Sequence, residues 1–178
     1  MMMECDPFKR PSQFPTHRHP PEFWEQFGRA IATFGFLEEM LGRAIIAITG
    51  SKQVPETDAQ EALDVWQKIV EKALHRPLGV LIDMYHKALK DHPKAHVLNV
   101  DELIEDLKKV AQYRNPLCHG SWRIPDGNGF SELFYIDREL RIFDTPLDQG
   151  ILEKLQVEAS TIACRVYNSI TQLGCKPL

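Results

Sequence analysis

Between Phe23 and Ile48 apolar side chains recur every third or fourth residue, through Phe27, Ile31, Phe34, Leu37, Leu41 and Ile45, and Gly50 ends the run. That spacing predicts a first helix of nearly thirty residues with one apolar face. Such a stripe is buried only against other elements, so the rest of the chain must supply the helices that cover it. The chain has 178 residues, a length that suits one domain with a sizeable core.

Further helical stripes follow. "VPETDAQ" breaks the first helix and offers capping residues, after which Leu63, Trp66, Ile69, Val70 and Ala73 mark a second helix. "HRP" interrupts, and Leu78, Leu81, Ile82, Tyr85 and Leu89 predict a third, ending at "KDHP". The fourth starts near Asn99 or Asp101, with acidic residues early and Lys108, Lys109 and Arg114 late, a polarity that complements the helix dipole. Past Gly120 the pattern becomes strand-like: "SWRI", a "PDGNG" turn, "ELFYI", "DRE" and "LRIF". From about Pro146 to Leu173 the helical period returns as a fifth helix. The expected fold is mainly α, a bundle of about five helices with a small β-hairpin or three-strand meander, about 121–144, inserted before the last helix.

Residues 1–20 are proline-rich and poor in aliphatics, so they are expected to form a flexible tail ahead of a single domain over 21–178. His17 and His19 of this segment lack a third metal ligand, and a proline separates His92 from His96. The cysteines, Cys5, Cys118, Cys164 and Cys175, form no C-x-x-C pair and fit reduced thiols. No metal site and no cofactor are expected. Hydrophobic residues make up 43% and charged residues 26%, the mix of an ordinary globule. No apolar run approaches the ~20 residues that span a bilayer, and "MMMECDPFKR" lacks the apolar core of a secretion signal, so the expected location is cytoplasmic, away from membranes. A net charge of −4 excludes a general polyanion binder, and any RNA contact must be local.

The stretch Tyr113 to Trp122, "YRNPLCHGSW", stands out. The fourth helix carries Leu103, Leu107 and Val110 on its stripe, and the next position is Arg114, about 20° around the axis from Leu107. A guanidinium there needs a partner, because an unpaired buried charge is very costly. Glu38, near the edge of the stripe between Phe34 and Leu41, is the leading internal candidate. Pro116 predicts a kink or end at Asn115 or Pro116. In an unbroken helix His119 stands about 140° from Arg114, so a break there, with Gly120 turning the chain out in a left-handed cap, is what lets the two share a target.

"RNPLCHG" has the form R-x4-H with a polar residue directly after the arginine. In this motif, its late position at a helix end, the all-α layout and the "HG-x-W" passage into a hairpin, the chain resembles the HEPN superfamily. Many of its members are metal-independent endoribonucleases acting as toxins or in antiviral defence. The resemblance implies that Arg114 and His119 match the catalytic pair and Asn115 the polar position. It also implies a homodimer in which two motifs line one cleft, and a cognate antitoxin or nucleotidyltransferase as partner.

The residue types suit that chemistry. Imidazole moves a proton near neutral pH, at the 2′-hydroxyl or the leaving 5′-oxygen, and a guanidinium fork fits two phosphoryl oxygens. The negative end of a helix opposes a phosphate, and Lys108, Lys109, Arg114 and Arg123 are the cations expected to offset it, with Trp122 as the aromatic kept for a base contact. Three readings stay open: an endoribonuclease, a non-catalytic nucleotide- or protein-binding or antitoxin-type partner with the same cleft, and a structural dimerisation module. An Arg114 ion pair and a helix-capping role for His119 are the plain alternatives for the two residues.

Overall fold

The computed structural model describes residues 8–95 and 99–176. Expectations placed on Cys5, on residues 1–7 of the proline-rich segment and on His96 lie outside the described residues. In chain order the elements are α1 (Pro21–Gly50), a 3-10 turn at Glu56–Asp58, α2 (Ala59–His75), α3 (Leu78–Lys90), α4 (Val100–Ala111), α5 (Arg114–His119), β1 (Ser121–Trp122), β2 (Leu133–Phe134) and α6 (Gln149–Gln172). The protein is a mainly helical bundle with a small two-strand antiparallel sheet before the last helix, the architecture that the periodicity predicts. Its fourth helix is divided into α4 and α5.

Helix α1 is the axis of the bundle. Pro21 opens it at a position where no helical N–H bond is lost. Toward its end Leu37, Met40, Leu41, Gly42, Ala44, Ile45, Ala47 and Ile48 are all buried, more than one face of a helix. A helix apolar nearly all round is enclosed by its neighbours, and α1 packs on α2, α3, α5 and α6. Gly42 permits the approach of α2, because a Cβ there would stand 2.9 Å from the Ala73 carbonyl oxygen.

Each remaining helix covers part of this axis. The α4 stripe, Leu103, Ile104, Leu107 and Val110, is buried within the chain's own core. Asp148 caps α6 by accepting from the Ile151 N–H at 2.7 Å, so this helix begins at Gln149 and not near Pro146. Arg165 of α6 donates to Asp106 of α4 at 2.6 Å, and this bond holds the Asp106 carboxyl below the usual range. Tyr85 of α3 and Ser169 of α6 share a buried 2.7 Å hydrogen bond, and burial pushes the Tyr85 hydroxyl up to about 12. By contrast α2 lies at the rim: of its expected stripe only Ala73 is fully buried, and Leu63 is 44% exposed.

The expected meander is present with fewer ladder bonds than three strands would make. Ser121 and Trp122 pair with Phe134 and Leu133, and single bridges join Ile136 to Ile142 and Ser131 to Leu147. Two aspartates turn the chain between them. Asp126 accepts from the Asn128 and Phe130 N–H groups, and Asp137 from those of Glu139 and Arg141.

The N-terminal segment departs from the expected tail at its end. Residues 8–16 are exposed, but His19 is only 8% exposed, stacks on Phe23 with ring centroids 4.3 Å apart and bonds through Nε2 to the buried Ser131 hydroxyl at 2.6 Å. Aromatic neighbours on α1 and β1 supply the burial that the segment's own composition lacks.

Burial holds the His19 imidazole below its ordinary value of 6.5, and His86 and His92 are lowered for the same leading reason. Below pH 6.5 the unfolded chain therefore takes up protons that the fold resists, so stability present above that pH falls as the solution is acidified. The melting temperature should drop between pH 7.5 and 5.5. In His19→Gln, which keeps a donor for Ser131 but does not titrate, the drop should be smaller, and an unchanged drop would remove His19 from the account.

Candidate active site

The motif is placed by a bend that lies upstream of the expected one. Pro116 has no N–H to give the carbonyl of Gln112, and its ring crowds that carbonyl. The chain accordingly leaves the helix at Gln112 and Tyr113, where Tyr113 N–H bonds back to Val110 at 3.2 Å, and not at Asn115. A new helix starts at Arg114 and tolerates Pro116 in its first turn, where the N–H groups have no helical partner anyway. Arg114 and His119 are thus the first and last residues of α5.

Gly120 is also needed for a reason other than the expected one. Its φ of −79° and ψ of 159° are extended, so it is no left-handed cap. A side chain is excluded by contact: a Cβ would lie 2.6 Å from the Pro116 carbonyl oxygen and 2.7 Å from the Leu133 side chain. Gly120 N–H donates to that carbonyl at 2.7 Å, and the chain passes directly into β1 with β2 against it. Helix α5 and the meander are locked together at this point.

Arg114 and His119 both line an open cleft of about 1040 Å³ formed by α1, α4, α5, the α2–α3 junction and the meander. Residues five apart on a helix differ by about 140° around the axis and about 7.5 Å along it, so the long arginine side chain is what brings both groups to one space. Arg114 donates from Nε to Glu38 Oε1 at 3.0 Å, with about a quarter of each side chain exposed. Glu38 on α1, singled out by its place beside the apolar stripe, is therefore its ion-pair partner. Arg114 Nη1 lies 3.5 Å from Asn115 Oδ1, at the outer limit of a hydrogen bond. Nη2 has no protein partner among the described residues, and neither does the exposed imidazole of His119.

Among the other expected contact residues, Lys108 lines the same cleft. Lys109, Trp122 and Arg123 do not. Lys109 projects from a different face of α4 and pairs with Asp106 at 3.6 Å. Alternation along the strand sends Trp122 into the aromatic cluster, edge-on to Phe23 at 4.8 Å, where its indole N–H is buried without a partner among the described residues. Arg123 sits over the Phe134 ring at 4.8 Å, beside a separate depression of the meander.

The cleft also contains residues that motif reasoning missed: His75 and Arg76 at the end of α2, and Tyr135, Arg138 and Glu139 on the meander. In the sequence they lie in "HRP", "ELFYI" and "DRE", which read there as a helix break, a strand and a turn. The one available signal was the recurrence of cationic residues at those boundaries. Four cations, Arg76, Lys108, Arg114 and Arg138, face the cleft with three carboxylates, Glu38, Asp83 and Glu139. Glu38 is engaged by Arg114, and Glu139 by Arg141 at 2.6 Å. Arg76, Lys108 and Arg138 form no ion pair among the described residues. Among those residues no group of three or more histidine, cysteine or acidic side chains is placed to hold a metal ion.

Comparison of the chain with protein-family models, with curated proteins and with solved structures gave no match. Among the described residues no helix is long and apolar enough to cross a membrane.

Because Gly120 joins α5 to the meander in close contact with Pro116 and Leu133, Gly120→Ala should lower stability by roughly 1–3 kcal/mol, the usual cost of overpacking. Gly127, whose Cβ position has nothing within 4 Å, is the control. Gly127→Ala should stay within about 0.5 kcal/mol of the parent. Thermal melts of both variants test this, and equal stability would mean that β2 yields at Leu133 without cost.

Proposed function

We propose that the protein is a metal-independent endoribonuclease of the HEPN type, with Arg114 and His119 as its catalytic residues and Asn115 at the polar position. The observation that carries this reading is their convergence, with Lys108, on one open cleft of locally cationic lining in a chain of net charge −4. The 2′-oxygen of the RNA attacks the adjacent phosphorus and the bond to the 5′-oxygen breaks, giving a 2′,3′-cyclic phosphate and a free 5′-hydroxyl. The imidazole of His119 transfers the proton at one of these two oxygens. Arg114, held through Nε by Glu38, presents its terminal nitrogens to the phosphoryl oxygens.

In this reading two copies associate so that two motifs face each other, and a cognate antitoxin or nucleotidyltransferase restrains a toxin or defence activity. With the α4 stripe consumed by the core, Phe36, 46% exposed, is the large apolar side chain that α1 leaves for such a contact. Light scattering should show a dimer at micromolar concentration, and a clean monomer would count against the shared cleft.

The Arg114–Glu38 pair supports a second reading, a non-catalytic cleft that holds a nucleotide or a protein. Cleavage of RNA in the presence of EDTA separates the two. The nuclease reading expects cleavage under that condition, and His119→Ala and Arg114→Ala should each lower it by about a hundredfold or more. Arg114→Lys is the informative variant. It retains a charge for Glu38, a partly exposed pair worth roughly 1 kcal/mol or less, so the melt should move little, but it lacks the fork and should cleave poorly. A lysine variant as active as the parent would reduce Arg114 to a structural ion pair.

A further inference from the structure

The meander presents to the cleft an aromatic ring that the fold does not use. Tyr135 lines the cleft and is half-buried, yet its ring contacts no other ring and its hydroxyl forms no hydrogen bond among the described residues. Its backbone is held, since its carbonyl accepts from Phe143 N–H at 2.9 Å and the following turn is closed on Asp137. Three residues on, Arg138 lines the same cleft with an exposed side chain and no ion pair. Arg76 and Lys108, which form no ion pair among the described residues, line the same cleft from two other segments of the chain.

We propose that Tyr135 is a base-stacking residue of this cleft and Arg138 the phosphate contact beside it, so that the meander is the wall that seats one nucleotide next to the scissile phosphate. The inference rests on the ribonuclease reading and assigns it a specificity element that the R-x4-H motif does not contain. A tyrosine face takes any base once that base is unstacked from its neighbours, and a cation beside it holds the backbone. The cations come from three separate segments, and the cleft lies at the upper end of the ~300–1,000 Å³ that encloses one small ligand, which suits a run of phosphates better than a single one. Trp122, the aromatic nearest the motif in sequence, is unavailable because its ring is packed against Phe23.

The test uses the full chain carrying His119→Ala, so that RNA is bound and not consumed, with a labelled six-nucleotide single-stranded RNA and the same backbone carrying an abasic centre. The base-bearing strand should bind more tightly than the abasic one. Tyr135→Leu should weaken the base-bearing strand about five- to a hundredfold, the range for a lost base–aromatic stack, and erase the difference between the two. Tyr135→Phe, which restores the ring, should recover the preference and guards against a folding defect in the leucine variant. Arg138→Gln should weaken both strands alike and make the salt dependence of binding shallower by about 0.7 in the log–log slope, one phosphate's share on a single strand. Equal binding of the base-bearing strand with and without Tyr135→Leu would overturn the inference. If the parent still cleaves RNA and the Arg114 and His119 variants do not, the ribonuclease reading survives that loss. If Tyr135 governs binding but the parent does not cleave, the subsite stands and the nuclease falls. If RNA is neither bound nor cut, both are wrong.

Discussion

Burial of the second half of α1 on nearly all sides is the constraint around which the other elements are arranged. A helix enclosed in this way tolerates polar groups only where a neighbour stops short of covering it, and Glu38 occupies such an edge between buried Leu37 and Met40. The carboxylate reaches α5 there and sets the direction of Arg114. The longest hydrophobic element thus fixes a polar side chain of the shortest helix. Gly42 and Gly120 serve the same packing at two places, by letting backbone or side chain approach closer than any Cβ would allow.

The cleft's charge arises from topology and not from composition. An acidic chain has no basic face in its sequence, and its cationic lining is assembled from residues that lie far apart along it: Arg76 after α2, Lys108 on α4, Arg114 on α5 and Arg138 in the meander. Arg114 and Glu38 cancel as a pair and Glu139 is engaged by Arg141, so the cations left without an ion pair among the described residues, Arg76, Lys108 and Arg138, set the sign of the local field. Steering by such a patch is short-ranged and falls with salt, as the cations have only the cleft itself in which to act together.

The helices and the meander were legible because their signals are local. A stripe such as Leu78, Leu81, Ile82, Tyr85 and Leu89 states both the element and the face it buries. The arginine's partner was legible for a related reason, as Glu38 lies one step off a strong stripe. Three kinds of information were not local. The effect of Pro116 falls on Gln112, one turn upstream, so the bend sits on the other side of Arg114 from where the proline alone suggests. The need for Gly120 depends on Leu133, thirteen residues ahead, which no turn propensity encodes. The burial of His19 and Trp122 depends on contacts between the N-terminal segment and the meander, whereas composition saw a tail and adjacency saw a base contact.

The ion pair and a catalytic use of Arg114 do not exclude each other, because a guanidinium has two separable edges. Glu38 engages Nε, which restrains rotation of the group and fixes its plane. Nη1 and the outward N–H of Nη2 make up the other edge, with Nη1 in no more than a long contact with Asn115. A carboxylate placed so would also lower the entropy lost when phosphate oxygens are taken up, since the fork is already aimed. An ammonium in the same position has no second edge to offer, so a partner that orients an arginine would merely neutralise a lysine. Pairing with Glu38 therefore bears on which cation can work at this position more than on whether one works there at all.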